Sequence, residues 1–206
     1  LKNYAVAGIV PEFIDLKYLF VETESQVYYN PNHNQQPALL KSAISGALTE
    51  YSKSIDVNKF GGRFKYSKTV SLIDQVDNAI TSNITKVTIR RNLRTKINQW
   101  AQYELCYGNE FHVGESSYNV TSTGFTVEGV SSTVYLADAA DNSLETGTIN
   151  LIRLNSPTEA VVVRRNIGTI DYIKGEIKLN PINIISTSIN RQFPLIEISA
   201  VPYSND

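Results

Sequence analysis

The chain has 206 residues, 42% of them hydrophobic and 19% charged, enough to bury the core of one large or two small domains. Lys plus Arg number 19 against 20 Asp plus Glu, a formal charge of -1, which excludes a global field that draws the chain to nucleic acid or an anionic membrane. The one cysteine, Cys106, excludes an internal disulfide framework and a multi-thiolate zinc centre, and no apolar run approaches the roughly 20 residues that span a bilayer.

Residues 13–29 are rich in β-branched and aromatic side chains that partly alternate, and predict one long or bent strand. Asn30-Pro31-Asn32-His33-Asn34 is a turn cluster. From Pro37, the residues Leu39, Leu40, Ala43, Ile44, Ala47, Leu48 and Tyr51 recur at helical spacing, and Pro is tolerated in a first helical turn. The stretch FGGRFKYSKTVSLIDQVDNAI, residues 60–80, predicts a reversal at Gly61 and Gly62 and a short strand near Phe64. A helix over 68–80 follows, capped by Ser67, with Leu72, Ile73, Val76 and Ile80 as its apolar stripe. Asn83 stops that helix, and residues 84–93 alternate as a half-buried strand.

Beyond residue 96 the period changes to two. Strands are predicted over 100–107, 109–114, 117–128, 132–137, 147–154, 159–165, 168–173, 175–179 and 195–201, with glycines between them. Tyr172 to Ile177 reads as a hairpin with Gly175 in the left-handed position. The expected class is α+β: a small sheet with two helices on one face in a domain over 1–95, then a β-rich antiparallel domain over 96–206.

Little here has the pattern of chemistry. Gly61-Gly62-Arg63-Phe64 lacks the spacing of a phosphate loop. Its basic and aromatic residues also stand in the wrong order for an RNA-binding sheet, so Arg63, Lys65 and Lys68 are read as solvated and Phe64 and Tyr66 as inward. A Cys106–His112 dyad would be a competent nucleophile, but alternation makes Cys106 a buried strand residue, and His33 lies in a polar turn. Asp138, Asp141, Asn142 and Glu145 group oxygen ligands without the spacing of a calcium loop, and read as an acidic hairpin loop. The triplets at Asn83 and Asn119 fit glycosylation acceptors but are read as chance. Neighbours on a strand point to opposite faces, so Arg90 with Arg91 and Arg94, and Arg164 with Arg165, are candidate salt-bridging rims at a subunit interface. No residue is assigned to catalysis, a metal or a cofactor. Neither nucleic acid, a membrane nor a small-molecule substrate is an expected partner. A chain with no Met that starts at Leu1 reads as a piece of a longer polypeptide, intracellular or particle-bound.

The block FGGRFKYSKTVSLIDQVDNAITSNITKVTIRRNL (60–93), the stretch TIDYIKGEIKLNPINIIS and the closing VPYSND resemble the carboxy-terminal region of the gene-six baseplate wedge subunits of T-even-like contractile-tailed phages. Residues 13–53 are similar to the broader baseplate J-like group, while 96–167 match neither. The resemblance implies a virion structural protein of the tail baseplate without enzymatic activity or required cofactor. It further implies pairing with copies of itself and with other wedge subunits, so that wedges join in a ring around the tail hub. The contrasting expectation is a carbohydrate- or receptor-binding β domain over 96–206 of a tail-like assembly. A Cys106 hydrolase is the third.

Overall fold

The computed structural model describes residues 18–33, 36–114, 118–156 and 159–204. Positions 13–17 of the first predicted strand, Asn34 of the turn, residue 117 and the last two residues of the closing stretch lie outside them. The described chain is mostly antiparallel β with two short helices.

β1 (Phe20–Tyr29) pairs antiparallel with β2 (Ile80–Arg94), from Phe20 opposite Arg90 to Tyr29 opposite Ile80. This pairing overrides the helical reading of Val76 and Ile80: Ile80 fits the phase of the preceding stripe, but its backbone is committed to Tyr29. Between the strands run α1 (Pro37–Lys53) and α2 (Tyr66–Asp74). α1 starts with Pro in its first turn and buries Leu40 and Tyr51. α2 is shorter than predicted and starts earlier. Ser67 is an exposed residue inside it, the N-cap position is Lys65, and no side chain caps the helix. Its anchor is Ile73, fully buried, which by removal from water contributes about 1.5–3 kcal/mol. No strand forms near Phe64. Asn83 does not stop the helix in sequence: it sits in β2, and its amide nitrogen donates to Val70 O (3.3 Å) and Asp74 Oδ1 (2.7 Å) at the helix end.

Both helices lie on one face of the β1–β2 pair. Tyr66 donates to Thr85 O at 3.2 Å, and α1 lines a groove with Thr23, Ser25, Val27 and Tyr29. Cross-strand partners share a face, so Thr23, Ser25 and Val27 stand with Val87, Thr85 and Asn83 on this inner side.

The turn before α2 needs its two glycines for different reasons. Gly61 has φ +70, a left-handed conformation that glycine adopts without strain. Gly62 needs no positive φ; a Cβ there would lie 2.2 Å from Val57 O. Gly62→Ala is therefore expected to destabilise by about 1–3 kcal/mol through overpacking against backbone, and denaturant unfolding that matches wild type would show the loop to be soft.

The β-rich part comprises β3 (Trp100–Cys106), β4 (Thr121–Ser122), β5 (Phe125–Val127), β6 (Tyr135–Ala140), β7 (Thr146–Ser156), β8 (Glu159–Asp171), β9 (Glu176–Thr187), β10 (Ile189–Asn190) and β11 (Pro194–Ala200). β3, β9, β8, β7 and β6 form a second sheet in that order, with β5 on β9. β11 returns to the first sheet, where it pairs with β2, β10 and β4. That sheet is thus built from both ends of the described chain. Ile89 and Leu93 of β2 join Ile196, Ile198 and Ala200 of β11 in a buried cluster with Tyr103, Leu105, Phe125, Leu136, Ile149, Ile177 and others from the second sheet. One face of β2 is therefore covered by helices in its first half and by the second sheet in its second half.

Residues 109–114 form no strand. His112 N donates to Val201 O (3.0 Å), and Phe111 N to Tyr172 O (2.8 Å), so the segment crosses the β8–β9 turn with only a bridge from Phe111 to Pro202. The predicted strand 117–128 is two short ones, and the predicted 159–165 and 168–173 are a single strand, β8.

Candidate interaction surface

The outer face of the first sheet, opposite the helices, is set by the alternation of β1, β2 and β11. It carries Phe20, Glu22, Gln26 and Tyr28 from β1, Ile84, Lys86, Thr88, Arg90 and Asn92 from β2, and Glu197 from β11. Phe20, Tyr28 and Ile84 are 38%, 44% and 56% exposed.

Arg90 organises this face. Its Nε lies 2.6 Å from Glu22 Oε1 on one flanking strand and its Nη1 2.5 Å from Glu197 Oε1 on the other. Nη1 also donates to Asn92 Oδ1 at 2.6 Å, and the guanidinium sits 4.6 Å from the centre of the Phe20 ring. A planar fork with several fixed donors suits two carboxylates and an aromatic face at once, which lysine could not do. With its side chain only 16% exposed, Arg90 is less a free hand for a partner than the clasp that fixes three strands into a rigid outer face.

The other candidate arginines are dispersed. Arg91 points the opposite way, toward the core side and the Tyr107 hydroxyl. Tyr107 donates to Ile198 O at 2.7 Å, and burial pushes its phenol well above the usual range while Arg91 pulls the other way. Arg94 stacks over Phe193 at 3.8 Å. Arg164 and Arg165 are exposed on β8, where Arg164 Nη2 reaches Glu128 O at 3.4 Å. They lie on the β7–β8 ribbon, in the part of β8 beyond its pairing with β9, where Arg164 stands opposite Leu151, and where Leu154, Val161 and Val163 are exposed. The structure does not gather the arginines into one patch; the carboxylates of Glu22 and Glu197, which sequence reading missed, are what give Arg90 its place.

Cys106 is exposed, contrary to the buried position that alternation predicted. The phase is set instead by Tyr103, Leu105 and Tyr107, all buried, which turn Cys106 outward. No hydrogen bond joins it to His112 among the described residues, and His33 is exposed. The acidic loop also separates. Asp138 is buried and accepts from Asn119 N and Val120 N (both 2.8 Å) and from the Tyr172 hydroxyl (2.7 Å). Asp141 closes its own turn, with Ser143 and Thr146 donating to it; these bonds, that from the Ser143 hydroxyl first, hold its carboxyl below the usual range. Among the described residues no group of three His, Cys, Asp or Glu could hold a metal ion. Asn119 is buried and engaged by Val201 and His112.

The outer face and its clasp fall largely within a segment that a known family describes. Residues 17–92 match the model of "Baseplate structural protein gp6, C-terminal domain III". This segment is similar to a gp6-type baseplate domain. The match includes all but the last residue of the quoted block at 60–93. The baseplate wedge protein gp6 of Enterobacteria phage T4 is 28% identical over 95 residues, which cover 46% of this chain and 14% of the phage T4 protein. The chain thus spans about one seventh (14%) of the relative's length in that alignment. The gp6 family places the domain in the tail baseplate of the phage virion.

Proposed function

We propose that the chain is the carboxy-terminal, structural part of a baseplate wedge subunit, and that it joins copies of itself and neighbouring wedge subunits through the outer face of the first sheet. The observation that carries this is the face itself: a three-strand surface held rigid by Arg90, Glu22 and Glu197, with Phe20, Tyr28 and Ile84 exposed on it. Aromatic and arginine side chains supply large contact area at low cost in ordering when they are already held in place. In this reading residues 1–95, completed by β11, carry the recognition face and the rest of 96–206 the β-rich support, and Arg164 and Arg165 on the β7–β8 ribbon serve a second contact. The family is described as structural, and we read the chain as a non-enzyme without cofactor.

Sedimentation velocity across a wide concentration range tests the proposal. Ile84→Glu is expected to shift the chain toward the monomer with a nearly unchanged Tm, because Ile84 is 56% exposed on the outer face. Arg90→Glu is expected to weaken association and also to cost about 1–3 kcal/mol of stability, since it sets a third carboxylate beside Glu22 and Glu197. Wild-type association in Ile84→Glu would remove this face from the interface.

A further inference from the structure

The loop over residues 54–65 and the start of α2 enclose a concave site away from the outer sheet face. Tyr51, Asp56, Lys59, Arg63, Lys65 and Lys68 line a space of about 380 Å³. Four cations thus surround one carboxylate. Lys68 takes it directly, Nζ to Asp56 Oδ2 at 2.9 Å, while lying 5.1 Å from the centre of the Tyr51 ring. That hydrogen bond, and then the Lys68 charge, hold the Asp56 carboxyl below the usual range; Lys59 and Lys65 act on it only through space. The side chains of Lys59, Arg63 and Lys65 make no ion pair among the described residues.

A single Asp cannot neutralise four neighbouring cations, and a concave wall concentrates their field. The start of α2 adds to it. The N-cap position is Lys65, no side chain caps the first turn and no acidic residue lies within it, so the partial positive charge of the helix start is uncompensated. The same loop holds two apolar side chains away from any cover: Ile55, beside Asp56, is 76% exposed, and Phe60, between Lys59 and Gly61, is 94% exposed.

We propose that this pocket is a docking socket for an acidic segment of another protein, whose carboxylates enter between Arg63, Lys59 and Lys65 while an adjacent apolar side chain packs on Phe60 and Ile55. The basic pocket alone would serve any oxyanion. The exposed apolar pair beside it selects a peptide, because free phosphate gains nothing from Phe60. The proposal deepens the assembly reading, from which it takes the neighbouring protein, and uses a surface separate from the outer sheet face.

The test uses the full chain and a fluorescein-labelled synthetic peptide of alternating glutamate and leucine, read by anisotropy. Wild type is expected to bind it, more weakly as salt rises. The Arg63→Ala, Lys65→Ala double variant, at exposed positions and with Tm as the folding control, is expected to lose about tenfold in affinity, and Phe60→Ser about threefold. Binding is expected to persist in Ile84→Glu, so loss of the sheet-face contact and loss of the socket are read separately. Equal binding by the double variant, or by a peptide with glutamine for glutamate, would overturn the socket. Displacement by inorganic phosphate beyond that by chloride at the same ionic strength would reassign the pocket to small oxyanions, and displacement by a short RNA would reassign it to nucleic acid; either overturns the proposal.

Discussion

Asp138→Ala is expected to destabilise the protein by about 3–5 kcal/mol, because it leaves three buried donors without an acceptor at a typical cost of about 1–3 kcal/mol each, less than additive. The donors are the amides of Asn119 and Val120 and the hydroxyl of Tyr172. Tyr172 is among the largest fully buried side chains, and its phenol is held far above the usual range by burial first and then by its bond to Asp138, so it stays a donor. The consequence reaches the first sheet. Asn119, positioned by Asp138, accepts from Val201 N (2.7 Å) and donates to Val201 O (2.9 Å), just past the end of β11. β11 in turn presents Glu197 to Arg90. Thermal unfolding should show a fall in Tm on the order of 10 °C. Asp138→Asn, which keeps an oxygen for the two amides, should lose less. A loss below about 1 kcal/mol in Asp138→Ala would show that these donors find water or other partners instead.

Local pattern was enough where neighbours in sequence are neighbours in space. α1 follows from Pro37 and the spacing of Leu40, Ile44 and Leu48, and the left-handed Gly175 from its place in a hairpin, although the turn runs over four residues, 172–175. Long-range pairing decided the rest. Ile80 looked helical because its spacing from Val76 is a helical one, yet β1 claims it. Nothing in residues 84–93 shows that β11, a hundred or so positions on, lies beside them. Gly168 was read as punctuation between strands. It instead lies mid-strand where a Cβ would come within 2.3 Å of Lys178 O, so it marks a close approach. The same limit applies to the surface. That Arg90 and Arg91 face opposite ways is a matter of strand geometry alone, but the carboxylates that meet Arg90 come from strands the sequence does not place. The basic stretch at 59–68 failed as a phosphate loop on spacing, and only the fold shows that its charges line a concavity.

Gly175→Val should be the most damaging single glycine replacement, at about 3–5 kcal/mol, because strain and collision act together. Gly175 has φ +64, which a β-branched side chain strongly resists, and a Cβ there would lie 2.0 Å from Asn109 O. The carbonyl cannot simply retreat. Tyr107 N donates to Gly175 O and Phe111 N to Tyr172 O, both at 2.8 Å, so the segment 107–111 is laced to both ends of the turn. Tyr107 and Phe111 are themselves buried, with ring centres 5.0 Å apart in an edge-on arrangement. Moving Asn109 would therefore disturb the contact that carries the Tyr107 hydroxyl to Ile198 O on β11, and with it the strand that supports the Arg90 clasp. Gly175→Asn separates the two causes, since Asn tolerates the left-handed conformation but still adds a Cβ. If the collision dominates, Gly175→Asn unfolds at nearly the same denaturant concentration as Gly175→Val; recovery of most of the wild-type midpoint in Gly175→Asn would assign the loss to backbone strain and show that Asn109 can yield.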